Sequence, residues 1–189
     1  MKRYLAIGFF AMLILDTCPA RAAGQTDRWQ LAFKYSTIEF VGKQAEDNAI
    51  KRGSYGALEA YFKLLPGYYI GSEIGGSSIN NGSKVNLGGT VWDADFEYLS
   101  IELNAKAIHQ LARWLDVEAG LGCALVEAGN VPVYFSAENY TKTYFGAQGF
   151  AGINIKGEHW YTGIDAKYQL VEDDYSNWRG GVHLGYRFD

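Results

Sequence analysis

Charged residues recur at alternate positions in several stretches of this chain. Glu59, Glu73, Glu102, Asp116, Glu118 and Asp165 are the acids; Lys34, Lys63, Lys106, Lys167, Arg179 and Arg187 are the bases, and each is flanked by apolar or small neighbours. Successive strand side chains point to opposite faces, so each stretch carries one polar face and one greasy face. Charges gathered inside a closed sheet must pair or neutralise. Such a set can serve as a plug of ion pairs, as a narrow ion path, or as acid–base machinery. Nucleophilic catalysis would need a histidine beside a hydroxyl. Two residues beyond His109, His159 and His183 stand Leu111, Tyr161 and Gly185, so no strand places a serine next to a histidine on one face, and no Asp-Ser dipeptide occurs. A Ser–His–acid set would have to be assembled from distant strands. Glu172-Asp173-Asp174 offers hard oxygens but lacks the spaced ligands of a calcium loop, and it reads as a solvated loop tip. No cofactor is implied.

Eight period-two segments can carry these faces. They run over residues 28–41, 54–64, 68–77, 91–108, 113–126, 142–155, 160–171 and 178–189. The sixth sets Gln148, Gly152 and Asn154 on its polar side, and Phe150 interrupts its pattern. The first changes parity near Ser36–Ile38 and the fourth near Tyr98–Leu99. A β-bulge would do this, and so would a strand leaving an apolar zone. Long connections (42–53, 78–90, 127–141, 172–177) alternate with short ones (65–67, 109–112, 156–159). The third long connection holds an apolar run, Val131-Pro132-Val133-Tyr134-Phe135, suited to contact with a partner.

Lys2 and Arg3 precede an apolar run from Tyr4 to Leu15, and Ala20-Arg21-Ala22 follows. That is the layout of a secretory signal peptide cut after Ala22, leaving one domain over residues 23–189. Without residues 1–22 the chain loses Lys2, Arg3, Arg21 and Asp16, which leaves 14 basic against 20 acidic side chains, near −6. No basic stripe exists, which argues against nucleic acid as a partner. Cys123 is then the only cysteine, so no internal disulfide is expected. Aromatic residues fall into two groups. Trp29, Tyr68, Trp114, Trp160, Tyr161, Tyr186 and Phe188 lie near the short connections; Phe40, Tyr55, Trp92, Tyr144 and Trp178 lie near the long ones. Two such belts suit the two interfaces of a membrane.

The last segment reads W-R-G-G-V-H-L-G-Y-R-F-D from Trp178 to Asp189. Its alternation and its Tyr-x-Phe ending resemble the C-terminal strand of small eight-stranded bacterial outer-membrane β-barrels, typified by the transmembrane domain of outer membrane protein A and the opacity-type proteins. Asp189 departs from that pattern by one residue. A soluble barrel of the lipocalin kind shares the periodicity with its faces exchanged. Glycines on the polar face (Gly71, Gly75, Gly120, Gly122, Gly152, Gly163, Gly181 and Gly185) suit a crowded lumen better than a wetted surface.

The resemblance implies an all-β, up-and-down transmembrane barrel in the outer membrane. Both ends would be periplasmic and the long loops extracellular. Its partners would be outer-membrane lipid and lipopolysaccharide, with the barrel-assembly machinery reading Leu184, Tyr186 and Phe188. A monomer without enzymatic activity is expected, in a structural or surface-interaction role. A narrow solute channel and a lipid A-modifying enzyme are the alternatives.

Overall fold

The computed structural model describes residues 28–42, 50–132, 141–172 and 175–188. The leader, the Asp173-Asp174 pair and most of the apolar run after Pro132 lie outside them. Eight strands form one closed antiparallel barrel: β1 (Trp29–Phe40), β2 (Arg52–Leu65), β3 (Tyr68–Leu87), β4 (Thr90–Ala112), β5 (Leu115–Pro132), β6 (Lys142–Lys156), β7 (Trp160–Val171) and β8 (Asn177–Phe188). Each strand pairs with its sequence neighbours. The ring closes where β1 meets β8, from Trp29↔Phe188 to Phe40↔Asn177. Closure leaves no free edge around the ring, the one sheet arrangement that lipid tolerates.

The exterior carries the greasy faces. Leu31 and Phe33 on β1, Leu58 on β2, Ile70 and Ile74 on β3, and Ile101 and Leu103 on β4 are all exposed. Leu121 and Leu125 on β5, Phe145, Ile153 and Ile155 on β6, Ile164 on β7, and Val182 and Leu184 on β8 continue the band. Across that band the interior positions are mostly polar and buried, so the facing there is that of a membrane barrel, opposite to a lipocalin's.

Neither parity change proves to be a bulge. β1 alternates without a break from Trp29 to Phe40, and β4 does so from Ala94 through Lys106. What changes is the environment. Beyond Tyr35 and Leu99, toward the long-loop end, the outward positions become Thr37, Glu39, Glu97 and Asp95. The inward ones become Ile38, Phe40, Phe96 and Tyr98. The upper barrel is therefore apolar inside and polar outside, as for a strand passing from lipid into water.

This corrects the second aromatic belt. Phe40, Tyr55 and Tyr144 are buried in the lumen, as is Tyr161 at the opposite end. Phe150, the interruption in β6, also points inward.

Three connections are shorter than expected. Residues 78–90 mostly extend the β3–β4 ladder, which ends in a turn at Gly88 and Gly89, both with positive φ. The ladder shifts register between Ile79 and Ser83, around Gly82 at φ 68°. β5 likewise runs on to Pro132. At the other end β4 continues through His109 to Ala112, so the turn falls at Arg113-Trp114. The Pro66-Gly67 turn sits where expected, with Gly67 at φ 81° in the position a type II turn reserves for glycine.

Candidate functional site

The lumen is filled in layers. In the first, Glu73 and Glu102 lie directly opposite each other on β3 and β4. Like charges at such a position repel, and two cations lie between them. Lys167 Nζ on β7 is 2.5 Å from an oxygen of each carboxylate. The Arg179 guanidinium on β8 spans the other two oxygens, at 3.2 Å from Glu73 and 2.5 Å from Glu102. Arg179 also covers the Tyr55 ring at 4.4 Å, and Tyr55 donates to Glu73 at 3.2 Å. Gln148 donates to Glu102 at 2.6 Å, and Gln169 donates to Gln148 at 2.6 Å.

The second layer centres on Lys34. Its ammonium reaches Glu59 at 2.9 Å, Asp165 at 3.0 Å and Glu73 at 3.5 Å. His183 Nε2 meets Asn154 Oδ1 at 2.5 Å, and its Nδ1 faces Asp165 at 3.4 Å. Asn154 donates to Glu118 at 3.0 Å. Lys106 pairs with Glu118 at 3.1 Å while lying 3.9 Å over the Tyr61 ring.

The third layer lies at the short-turn end. Asp116 takes Lys156 at 2.7 Å and Arg187 at 3.3 Å. Lys63 is half-buried there and shares with Asp116, Lys156 and Arg187 the lining of a cavity of about 30 Å³. That is room for about one water molecule. Gln30 Oε1, Tyr161 Oη and Arg187 Nε are buried without hydrogen-bond partners among the described residues.

Above these layers lies the apolar plug. Ile38, Phe40, Ile50, Phe96, Tyr98, Val126, Tyr144 and Tyr175 belong to one buried cluster. Phe96 stacks with Tyr175 at 5.7 Å, and Phe40 meets Tyr98 edge-on at 5.3 Å. Tyr98 also hydrogen-bonds Gln169, joining plug to ions.

All the inward acids and bases named from sequence sit in the lumen, Lys63 at its mouth. Lys156 and His183 complete the set and follow from the same parity: Lys156 is the next inward position after Asn154, and His183 lies between Arg179 and Arg187. The glycines leave room for these groups. A Cβ on Gly75 would lie 2.5 Å from the Tyr55 hydroxyl, and one on Gly185 would enter the Tyr161 ring. Leu184, Tyr186 and Phe188 point outward on β8, and Phe188 accepts a hydrogen bond from the Arg28 amide at 3.0 Å.

The sequence matches no family model and no curated protein. Solved structures do match. Neisserial surface protein A superposes with a TM-score of 0.61 at 12% identity, over 84% of this chain and 95% of that one. The outer membrane protein OprG of Pseudomonas aeruginosa gives 0.60 at 12%, over 86% and 96%. Ail, the attachment invasion locus protein of Yersinia pestis, gives 0.57 at 13%, over 87% and 100%. The chain thus has the fold of the small eight-stranded outer-membrane β-barrels.

Proposed function

We propose that this chain is a non-conducting, non-enzymatic barrel of the bacterial outer membrane, with a structural or surface-interaction role. The observation that carries this reading is the continuous filling of the lumen inside an apolar exterior band. Ion pairs and amides occupy the lower lumen, and an aromatic cluster caps it. The cavity at the short-turn mouth, about 30 Å³, has room for about one water.

The polarity change on β1 and β4 supports an upper barrel that stands in water, presenting the long-loop end outside the cell. Both ends would then be periplasmic. Lipopolysaccharide and outer-leaflet lipid would be its neighbours, and the assembly machinery would meet β8 through Leu184, Tyr186 and Phe188. A single chain closes its own ring, which favours a monomer.

The test combines refolding and recording. The refolded chain should show heat-modifiable mobility on gels and stay silent in planar bilayers. Steady current steps would support the channel reading instead. A changed lipid A mass on expression would support an enzyme. Protease applied to whole cells should cut within the long loops; protection of those loops would reverse the orientation.

A further inference from the structure

Permanent charges alone do not balance in the first two layers of the lumen. Five buried carboxylates lie there, Glu59, Glu73, Glu102, Glu118 and Asp165, against four buried cations, Lys34, Lys106, Lys167 and Arg179. Lys106 answers Glu118, and Lys167 with Arg179 answers Glu73 and Glu102. Lys34 is left to both Glu59 and Asp165, at 2.9 and 3.0 Å. Asp116, Lys156 and Arg187 form their own set at the mouth. A buried carboxylate short of counter-charge is costly.

The group beside Asp165 is His183, 3% exposed. Its contacts define which ring nitrogens carry protons. Asn154 donates through Nδ2 to Glu118 at 3.0 Å, and an ionised carboxylate only accepts. The Asn154 carbonyl oxygen is therefore the atom turned to His183. It lies 2.5 Å from Nε2, so Nε2 must donate. Nδ1 faces Asp165 Oδ1, a second acceptor, at 3.4 Å. A neutral imidazole donates from one nitrogen only. With its proton on Nε2 it would turn the bare Nδ1 toward a carboxylate. Only the imidazolium satisfies both sides, and it supplies the fifth positive charge.

The other groups around the ring are compatible with that charge. Lys34 of β1 stands opposite His183 in the register, but its ammonium is held by Glu59 of β2, Glu73 of β3 and Asp165 of β7. Tyr161 of β7 meets the ring edge-on at 5.7 Å. Glu118 of β5 is reached through Asn154 of β6. Arg179 and Arg187 flank His183 on β8, and each is paired with carboxylates.

We infer that His183 is a proton-operated clamp of the lower lumen. While both ring nitrogens carry protons, it ties β6 and β7 to β8. Loss of the Nδ1 proton to water releases Asp165 and loosens the ionic seal. The seal is therefore tightest on the acid side of that step, above the range in which carboxylates take up protons, and it weakens as pH rises. The inference rests on the packing of the lumen and not on the membrane placement.

The test is nitrogen NMR of the refolded full chain, labelled at histidine, in micelles over a pH series, with urea unfolding read at each pH. His183→Gln, which lacks the signals of that ring, assigns them. In the parent, urea resistance should fall over the same pH interval in which the Nδ1 proton leaves, and the neutral ring should keep its proton on Nε2. An Asp165→Asn amide can donate to a bare Nδ1, so the parent should hold the Nδ1 proton to an about tenfold lower proton concentration than that variant. His183→Gln should flatten the pH dependence of urea resistance across that interval. A neutral ring protonated on Nδ1, equal titration in the parent and in Asp165→Asn, or urea resistance that does not follow the Nδ1 proton would overturn the clamp. Should a variant fail to refold, the tautomer and the coincidence of the two curves in the parent decide.

Discussion

Lys167 holds apart two carboxylates that the sheet forces to face each other. Glu73 and Glu102 are directly opposed, and both are about 1% exposed or less. Lys167→Met keeps the length of the side chain and removes its charge, leaving Arg179, with Lys34 at 3.5 Å from Glu73, against the two acids. Losing one partner of a buried ionic set costs about 3–5 kcal/mol. Urea unfolding in lipid vesicles, followed by tryptophan fluorescence, should show a loss of that order. Adding Glu102→Gln removes the surplus negative charge and should restore a good part of it. Unchanged stability in the single variant would mean that water or a rearranged Arg179 already screens the pair. Which charges enter the lumen follows from parity along each strand and was legible in the sequence. Which acid meets which base was not, because that depends on register across strands: Lys167 lies 94 residues from Glu73. Lys156 went unassigned because it stands at the very end of β6, where alternation gives way to a turn.

At the scale of the strand, periodicity located all eight elements but stopped several of them short. The residues from Ser78 to Asn86 look like a loop because Ser, Asn and Gly cluster there. Ladder pairing to β4 holds them extended, with the register shift near Gly82 absorbing the misfit. The parity changes in β1 and β4 misread for a different reason. Period-two analysis assumes that the greasy face stays on one side, whereas here the outward residues turn from apolar to polar partway up the strand and the inward ones turn from polar to apolar. The facing itself can be tested on β5, where Leu121 is outward and close to the middle of the apolar run from Leu115 to Leu125. Leu121→Arg should cost about 2–4 kcal/mol of folding free energy in bilayers, as expected for arginine near the midplane. Equal stability to the parent would place Leu121 outside the hydrocarbon. The last strand invites a separate measurement. Phe188 pairs with Trp29 at the seam where β8 closes on β1. If this aromatic end is what the assembly machinery reads, Phe188→Ala should lower the rate at which new barrels reach the outer membrane, while the refolded protein keeps most of its stability. Pulse-chase levels equal to the parent would remove that role.

For the whole molecule, the two seals differ in kind and occupy different heights. The lower one is electrostatic: each carboxylate lies within 3.5 Å of a cation or a histidine, and variants that remove one partner can loosen it. The upper one is packing: Phe40, Phe96, Tyr98, Tyr144 and Tyr175 meet ring to ring with no charge to displace. Ions crossing the barrel would have to pass both in series, so the larger resistance decides the current. Opening only the ionic layer, with Lys167→Met and Glu102→Gln together, should therefore leave planar bilayers silent. Removing aromatic bulk as well, with Phe96→Ala and Tyr175→Ala added, should give small current steps. Conductance from the ionic variant alone would mean that the aromatic cluster already passes ions, leaving the ionic layer as the only barrier. The molecule would then be a gated pore and not a closed scaffold.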